Sequence, residues 1–340
     1  MMATARPPVR VAAVIPVYYA TYLREALDSV FAQSRQPDDV IVVDDGCPNP
    51  DALAQAIAPY AGRVTVIRQR NQGWPAARNA AHVATDADLI AMLDADDQWL
   101  PDFLREQLAV FDQHPDVDLV YSNGMFTGQT LLAGRTFMEG CPSVGPVTFE
   151  SLISQRCTVL MSSVVARRDA LIEAGGFATD IKRGADFEMW LRMARHGARL
   201  TYHRQVLVLY RIHEANVSGT ALNQVERPLR ILERLVETTP LSPRESHMAH
   251  ERIRYLRGDL ARENGKELLR VGNYDAARRE FRRARRVISS WKLGAAVVGL
   301  RVAPYLVRSI FLRRMAAIAA SARKRQFRAY GTLAALPPRH

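Results

Sequence analysis

The 340-residue sequence predicts an α/β fold with a mixed, mainly parallel, Rossmann-like sheet, helices on both faces and a helical C-terminal extension. Three observations predict it. Short apolar runs alternate with stretches of helical periodicity up to about residue 210. Two of those runs end in aspartate clusters, at Asp44-Asp45 and at Asp94-Ala95-Asp96-Asp97. Beyond about residue 220 only the helical pattern continues.

Val9 to Ile15 reads as a buried strand that stops at Pro16. Leu23, Ala26, Leu27, Val30 and Phe31 then fall at helical spacing within Thr21 to Gln33. Val40 to Val43 is a second strand, Asp51 to Tyr60 a weak helix and Val64 to Ile67 a third strand. Pro75 to Val83 is a helix whose proline suits the first turn. Leu89 to Leu93 is a fourth strand, Pro101 to Phe111 a helix and Asp118 to Ser122 another strand. Phe126 to Pro146 has mixed loop character. Thr158 to Ala166 reads as a strand, and Arg168 to Ala174 as a helix ended by Gly175-Gly176. Asp186 to His196 is helical, and Val206 to Tyr210 is the last strand of the body.

The boundaries that follow are 1–220 for the α/β body, 221–290 for a helical extension and 291–340 for a basic tail. In the extension, Gly272-Asn273-Tyr274 followed by Ala277, Phe281 and Ala284 has the spacing of a tetratricopeptide-type hairpin. One such unit lacks the stacked neighbours of a solenoid, so it is expected to dock on the rest of the chain.

The net charge of +11 is unevenly placed. Residues 281–340 hold 14 of the 46 Lys/Arg and no Asp/Glu, which leaves 32 basic against 35 acidic side chains elsewhere. The body is nearly neutral and the tail is strongly basic. Trp291 to Leu312 is apolar but broken by Arg301, Pro304 and Arg308, and Arg313, Arg314, Arg323, Lys324 and Arg325 follow. That composition suits an amphipathic helix at an anionic membrane surface. The plainer alternative is a helix packed on its own domain with a solvated basic face. Nucleic acid fits less well, because the aromatic residues form no stacking array with the cations. No run of 18 apolar residues offers a transmembrane helix. Met1 to Arg10 does not read as a signal peptide, and Cys47, Cys141 and Cys157 are too scattered for a disulfide framework or a zinc site. The expected location is cytoplasmic, with peripheral contact at the inner face of the cell membrane.

In open α/β sheets, ligands collect beyond the carboxyl ends of the strands, where both aspartate clusters fall. Crowded carboxylates repel one another, and a hard divalent cation relieves that cost. Solvated acids capping the following helix are the alternative. No Gly-x-Gly-x-x-Gly follows the first strand and no Gly-x-x-x-x-Gly-Lys-Ser/Thr occurs, so a nucleotide must be held by metal and side chains.

Seven segments, in order over residues 9–218, resemble the inverting family 2 glycosyltransferases of GT-A fold. They are Val14-Ile15-Pro16-Val17-Tyr18, Val42-Val43-Asp44-Asp45-Gly46-Cys47, Asn71-Gln72-Gly73 with Ala77-Arg78-Asn79, and Asp94-Ala95-Asp96-Asp97 with Trp99. Gly175-Gly176-Phe177, Gly184 to Arg192, and Tyr210-Arg211-Ile212-His213 with Asn216 and Ser218 complete the series. Two positions depart from the family pattern: Tyr19 stands where Asn is usual, and Ala185 where Glu often precedes the base.

The resemblance implies transfer of a sugar from a nucleoside diphosphate sugar, a UDP-sugar first, to an acceptor hydroxyl on a saccharide or lipid-linked saccharide. It places Pro16, Tyr18, Asp45, Arg78, Asp94 and Asp96 at the donor nucleotide. Asp45 would accept from a base N–H, and Arg78 would meet the base or phosphate; a salt bridge on the helix surface is the alternative for Arg78. It places Mn²⁺ or Mg²⁺ on Asp96, Asp97 and His213, the alternative for His213 being a satisfied loop histidine. It makes Asp186 the general base, with Trp190 and Met193 as core anchors of that helix. Bacterial surface polysaccharide or glycolipid synthesis is the setting such a sequence suggests. Two other readings remain at this point: a metal-dependent nucleotidyltransferase acting on sugar phosphates, and a non-catalytic sugar-nucleotide-binding scaffold.

Overall fold

The computed structural model describes residues 9–128, 130–213 and 221–334, with side chains described through 321. Asn216 and Ser218 of the last motif lie outside the described residues, as do Met1 to Pro8. The strands are β1 (Val11–Val17), β2 (Asp39–Asp44), β3 (Thr65–Arg68), β4 (Leu89–Met92), β5 (Gln98–Trp99), β6 (Leu119–Gly128), β7 (Val164–Arg167) and β8 (Leu200–Ile212). Among them lie helices α1 (Leu23–Phe31), α2 (Pro50–Ile57), α3 (Trp74–Val83), α4 (Phe103–Gln113), α5 (Phe137–Gly140), α6 (Phe149–Ile153), α7 (Arg168–Glu173) and α8 (Ala185–Arg195). Helices α9 (Ala221–Thr238), α10 (Pro243–Val271), α11 (Tyr274–Arg285), α12 (Trp291–Val302) and α13 (Pro304–Ala334) follow.

The eight strands form one mixed sheet in the order β3-β2-β1-β4-β7-β6-β8-β5. The pairings β3·β2, β2·β1 and β1·β4 are parallel, and β4·β7, β6·β7 and β5·β8 are antiparallel. Every residue of β1 is buried, as expected of a parallel strand in a sheet covered on both faces. The strand runs through Pro16, which pairs with Val43, instead of stopping there. On the other edge Leu93 N–H donates to the Val14 carbonyl, and the next bond of that ladder would come from residue 16. Proline has no N–H to give, so β1 and β4 part at that point. The acidic segment Asp94 to Asp97 begins where they part.

The middle of the chain is more ordered than its sequence suggests. β6 continues to Gly128, into the stretch read as loop, and β8 begins at Leu200, six residues before the expected start. The extra residues of β8 are half-exposed and mixed in polarity, so alternation there is weak. The strand expected over Thr158 to Ala166 is confined to Val164–Arg167 and is preceded by a 3-10 turn, Met161–Ser163.

The chain divides into two compact units. One holds residues up to 126 together with 136–211, and the other holds 127–135 with the residues from 212 onward. In the second unit α10 opens on a capping box in which Ser242 and Glu245 satisfy each other's backbone N–H groups. It closes on Gly272 in the left-handed conformation (φ 86°). α10 and α11 pack together across the turn at Gly272-Asn273, with a core built on Ala261, Leu269, Ala277, Phe281 and Ala284. α12 adds Leu293, Val297 and Leu300 to the same core, so 221–290 and the start of the tail share one unit. Among the described residues no helix is long and apolar enough to cross a membrane.

Gly265 in α10 packs directly under Phe281: a Cβ there would sit 2.6 Å from the ring, which is itself 4% exposed. Gly265→Ala gains about 1 kcal/mol of helix propensity and loses about 1–3 kcal/mol to overpacking. A lower midpoint of chemical denaturation is expected; a stabilised variant would contradict this packing.

Candidate active site

The site is built at the carboxyl edge of β2, β1 and β4. β2 ends at Asp44, whose carboxylate accepts from Cys47 N–H at 2.8 Å and so shapes a turn through Gly46 (φ 75°). A Cβ at Gly46 would meet the Asn71 backbone nitrogen at 2.9 Å, so only glycine lets these two motifs lie together. Asp45 is 4% exposed and accepts three protein hydrogen bonds: from Gln69 Nε2 (2.8 Å), Gln72 N–H (2.8 Å) and Gly73 N–H (2.9 Å). Its first task is therefore to fold the 69–73 turn. A carboxylate has about four lone-pair sites, so room remains for one further donor such as a base N–H. Pro16 lies in β1 beside Val43, and Tyr18 follows β1, exposed and in edge-to-face contact with Tyr19 at 4.6 Å.

The turn held by Asp45 delivers Gly73, the residue capping α3, and α3 carries Arg78. The expectation for Arg78 was the base or phosphate of a nucleotide. Its side chain is instead 3% exposed and ion-paired with Asp94, with the guanidinium 4.5 Å from the Trp74 ring centroid and 5.7 Å from that of Phe177. Burial and these rings hold it as an anchor for Asp94. One residue on, Asn79 clasps the glycine turn: its Nδ2 donates to the Phe177 carbonyl and its Oδ1 accepts from Phe177 N–H, both at 2.8 Å.

Beyond β4 the three acids converge. One carboxylate oxygen from each of Asp94, Asp96 and Asp97 lies within 4.8 Å of the other two. Asp97 is 1% exposed and accepts from Ser162 Oγ at 2.5 Å and from Arg211 N–H at 2.8 Å. Ser162 Oγ also accepts from Asp94 N–H at 3.2 Å, and the Ser162 carbonyl accepts from Trp99 Nε1 at 2.8 Å. Arg211 donates through Nε to the Asp96 carbonyl at 3.0 Å, pairs with Glu25 of α1, and lies over the Tyr22 ring at 4.2 Å. The hydroxyl of Ser162 and the backbone and side chain of Arg211 thus fix the acidic loop from two sides.

The site carries a surplus of negative charge. Burial pushes the Asp94 carboxyl up to about 6; Arg78 opposes that rise, while Asp96 and Asp186 add to it. Burial, and then Asp96 and Asp94, hold Asp97 well above the usual carboxylate range despite the hydrogen bonds from Ser162 and Arg211. Asp186 is therefore close enough to Asp94 for its charge to be felt there. It sits half-buried in the first turn of α8, which starts from Gly184 in the left-handed conformation (φ 89°). Ala185, where the family often has Glu, is fully buried. Trp190 and Met193 are 1% and 0% exposed, as core anchors should be. Glu188 and Arg192 pair at 2.7 Å, and Arg192 also donates to the Gly176 carbonyl at 2.8 Å, which ties α8 to the glycine turn.

The structure thus brings Asp94, Asp96, Asp97, Arg78 and Asp186 together in the first unit, with Asp45, Pro16 and Tyr18 on the same sheet edge. His213 follows the last residue of β8 and belongs to the second unit. Ser162 and Glu25 are residues that the sequence reading does not single out, and Arg211, quoted there within a motif, has no role assigned. The serine pair Ser162-Ser163, fully buried within an apolar run, was the legible signal for the first.

The chain is similar to known proteins over most of its length. The family model described as "Glycosyl transferase family 2" matches residues 12–155, and "Glycosyl transferase family group 2" matches 89–322. An uncharacterised glycosyltransferase of Rickettsia prowazekii is 26% identical over 230 residues, covering 64% of this chain and 68% of that protein. The succinoglycan biosynthesis protein ExoW of Rhizobium meliloti is 46% identical over 97 residues, covering 27% of this chain and 30% of its own length. Among solved structures, the mannosyltransferase PcManGT from Pyrobaculum calidifontis in complex with GDP-Man and Mn²⁺ aligns with a TM-score of 0.60 at 19% identity, covering 95% of this chain and 88% of that one. TarS residues 1–349 of S. aureus in complex with UDP-GlcNAc align with a TM-score of 0.55 at 16% identity, covering 96% and 90%. These likenesses show the GT-A fold, and the family models, the second of which spans more than half of the sequence, show that the chain belongs to the family 2 glycosyltransferases.

Proposed function

We propose that the chain transfers a sugar from a nucleoside diphosphate donor to an acceptor hydroxyl, with inversion at the anomeric carbon. The observation that carries this reading is the convergence of three carboxylates at the end of β4, with a fourth, Asp186, near enough to Asp94 to raise its carboxyl. Arg78 pairs with Asp94, while the nearby Arg211 guanidinium pairs with Glu25 and donates to the Asp96 carbonyl. Hard carboxylate oxygens this close suit Mn²⁺ or Mg²⁺. Asp96 and Asp97 would hold the ion, and the bound ion would supply charge neutralisation for a departing diphosphate.

The chain's own residues divide the remaining work. Asp45, Pro16 and Tyr18 bind the base, and the capacity left on Asp45 suits the N–H of uracil, which favours a UDP-sugar. Solved structures of similar fold hold UDP, UDP-GlcNAc and GDP-Man, in keeping with a nucleotide-sugar donor. Arg78 keeps Asp94 in place so that the loop presents Asp96 and Asp97. Asp186 takes the proton from the acceptor hydroxyl as its oxygen attacks the anomeric carbon. A single base on the acceptor side gives inversion without a glycosyl–enzyme bond; a glycoside hydrolase would need two carboxylates flanking the bond. The ExoW likeness favours a saccharide or lipid-linked saccharide acceptor in cell-surface polysaccharide synthesis. The basic tail, 291–340, favours peripheral contact with the anionic inner face of the cell membrane.

Incubation with a panel of nucleotide sugars, Mn²⁺ and saccharide acceptors should release a nucleoside diphosphate; release of pyrophosphate would instead mark nucleotidyl transfer. Asp186→Asn should keep the fold and donor binding while turnover falls roughly 10²-fold or more. Near-normal turnover would remove Asp186 from the role. Ser162→Ala takes one of two donors from a buried carboxylate and should lower stability by about 1–3 kcal/mol. It should also raise the Mn²⁺ concentration needed for half-maximal turnover. An unchanged metal requirement would show that Ser162 serves the core alone.

A further inference from the structure

Exposed apolar surface is concentrated in one part of the chain. Of the seventeen large hydrophobic residues that stand exposed among the described residues, nine lie between Trp291 and Ile318. Monomeric proteins rarely leave such side chains clustered in water without a use for them.

The geometry of α12 is more specific than the amphipathic tail expected from sequence. Leu293, Val297 and Leu300 are 5–9% exposed and pack with Phe281 and Ala284 of α11. Trp291, Val298 and Val302 are 62–78% exposed. At about 100° per residue, those three fall within roughly 40° of one another, on the side of the helix opposite the packed stripe. α12 therefore has two apolar faces, one taken up by the hairpin and one open. On the same wheel Lys292 and Arg301 lie on the two seams between the faces, and both are exposed. α13 continues the pattern: Val307 and Phe311 pack inward, while Leu306 and Ile310, one turn apart, are about 60% exposed. Arg308 is turned to the Arg270 carbonyl at 3.0 Å, whereas Arg313 and Arg314 remain exposed.

We infer that the open face of α12, centred on Trp291, Val298 and Val302, is the element that seats this chain on an anionic lipid bilayer, with the helix axis parallel to the surface. The inference rests on the membrane contact proposed above for the tail and assigns it to named residues. An aliphatic stripe with an indole at one end buries into the boundary between headgroups and acyl chains, while a cation on each seam reaches back to the lipid phosphates. Charge complementarity selects this occupant. A second copy of the chain would bring the same cations against themselves, since residues 281–340 hold no acid to answer them. A nucleic acid would leave the valines without an apolar partner.

The test uses the full chain and sedimentation with vesicles of phosphatidylcholine containing one quarter phosphatidylglycerol, beside vesicles of phosphatidylcholine alone. The wild type should bind the anionic vesicles, and more weakly as salt rises. A triple variant, Trp291→Ser, Val298→Ser and Val302→Ser, changes only exposed side chains and should melt like the wild type. Its partitioning should fall roughly tenfold or more. Lys292→Gln with Arg301→Gln should remove the preference for anionic over neutral vesicles. If the wild type binds and the triple variant binds equally well, the stripe assignment is overturned while tail-mediated contact stands. The stripe assignment is likewise overturned if the triple variant only converts a dimer to a monomer in sedimentation velocity. If the wild type binds neither vesicle, the membrane contact itself fails along with the stripe, and sugar transfer is untouched by that result.

Discussion

Repulsion among carboxylates at the end of β4 is the constraint around which the first unit is arranged. Asp94, Asp96 and Asp97 place oxygens within 4.8 Å of one another, and Asp97 is almost wholly buried. At that separation a pair of like charges costs about 3 kcal/mol at an effective dielectric of 20. Hydrogen bonds to a charged group return about 1.5–3 kcal/mol each. Arg78 pairs with Asp94, and Ser162 and Arg211 donate to Asp97; burial first, and the neighbouring acids after it, still raise both carboxyls. A divalent cation would relieve the repulsion that remains, and the supporting residues would hold the acids in place for it.

The support can be traced back to local sequence. Pro16 ends the β1·β4 ladder, so the acidic segment leaves the sheet where β1 and β4 part. Asp45 folds the 69–73 turn, the turn sets the start of α3, and α3 carries Arg78 to Asp94. Asn79 clasps Phe177, and Arg192 bonds to Gly176, so the glycine turn joins α3 to α8 and Asp186. Motifs that lie far apart in sequence are thus links in one chain of hydrogen bonds and ion pairs.

Much of this was legible in the sequence because strand ends and acid clusters are local signals. The four parallel strands and the helices between them follow from short apolar runs, two of which end in the aspartates of the site. The jobs of Arg78 and Asp45 were harder to read. Whether an arginine meets a ligand or a neighbouring acid depends on burial and on what stacks against it, here Trp74 and Phe177. Ser162 and Arg211 act through contacts 65 and 114 residues away, which no periodicity reveals. The half-polar start of β8 and the edge pair β5 lack alternation strong enough to mark a strand. In the second unit, the hairpin was plain from its Gly-Asn-Tyr turn. The two apolar faces of α12 emerged only once one of them was seen to be covered.

The central claim is that Asp96 and Asp97 hold a divalent cation for a departing diphosphate. Electron paramagnetic resonance of free Mn²⁺ tests it most directly, titrating the wild type, Asp96→Asn and Asp97→Asn with the ion in the presence of UDP. The account predicts that the wild type depletes the free-ion signal at one equivalent and that both variants leave it largely intact. Equal depletion by all three proteins would contradict it.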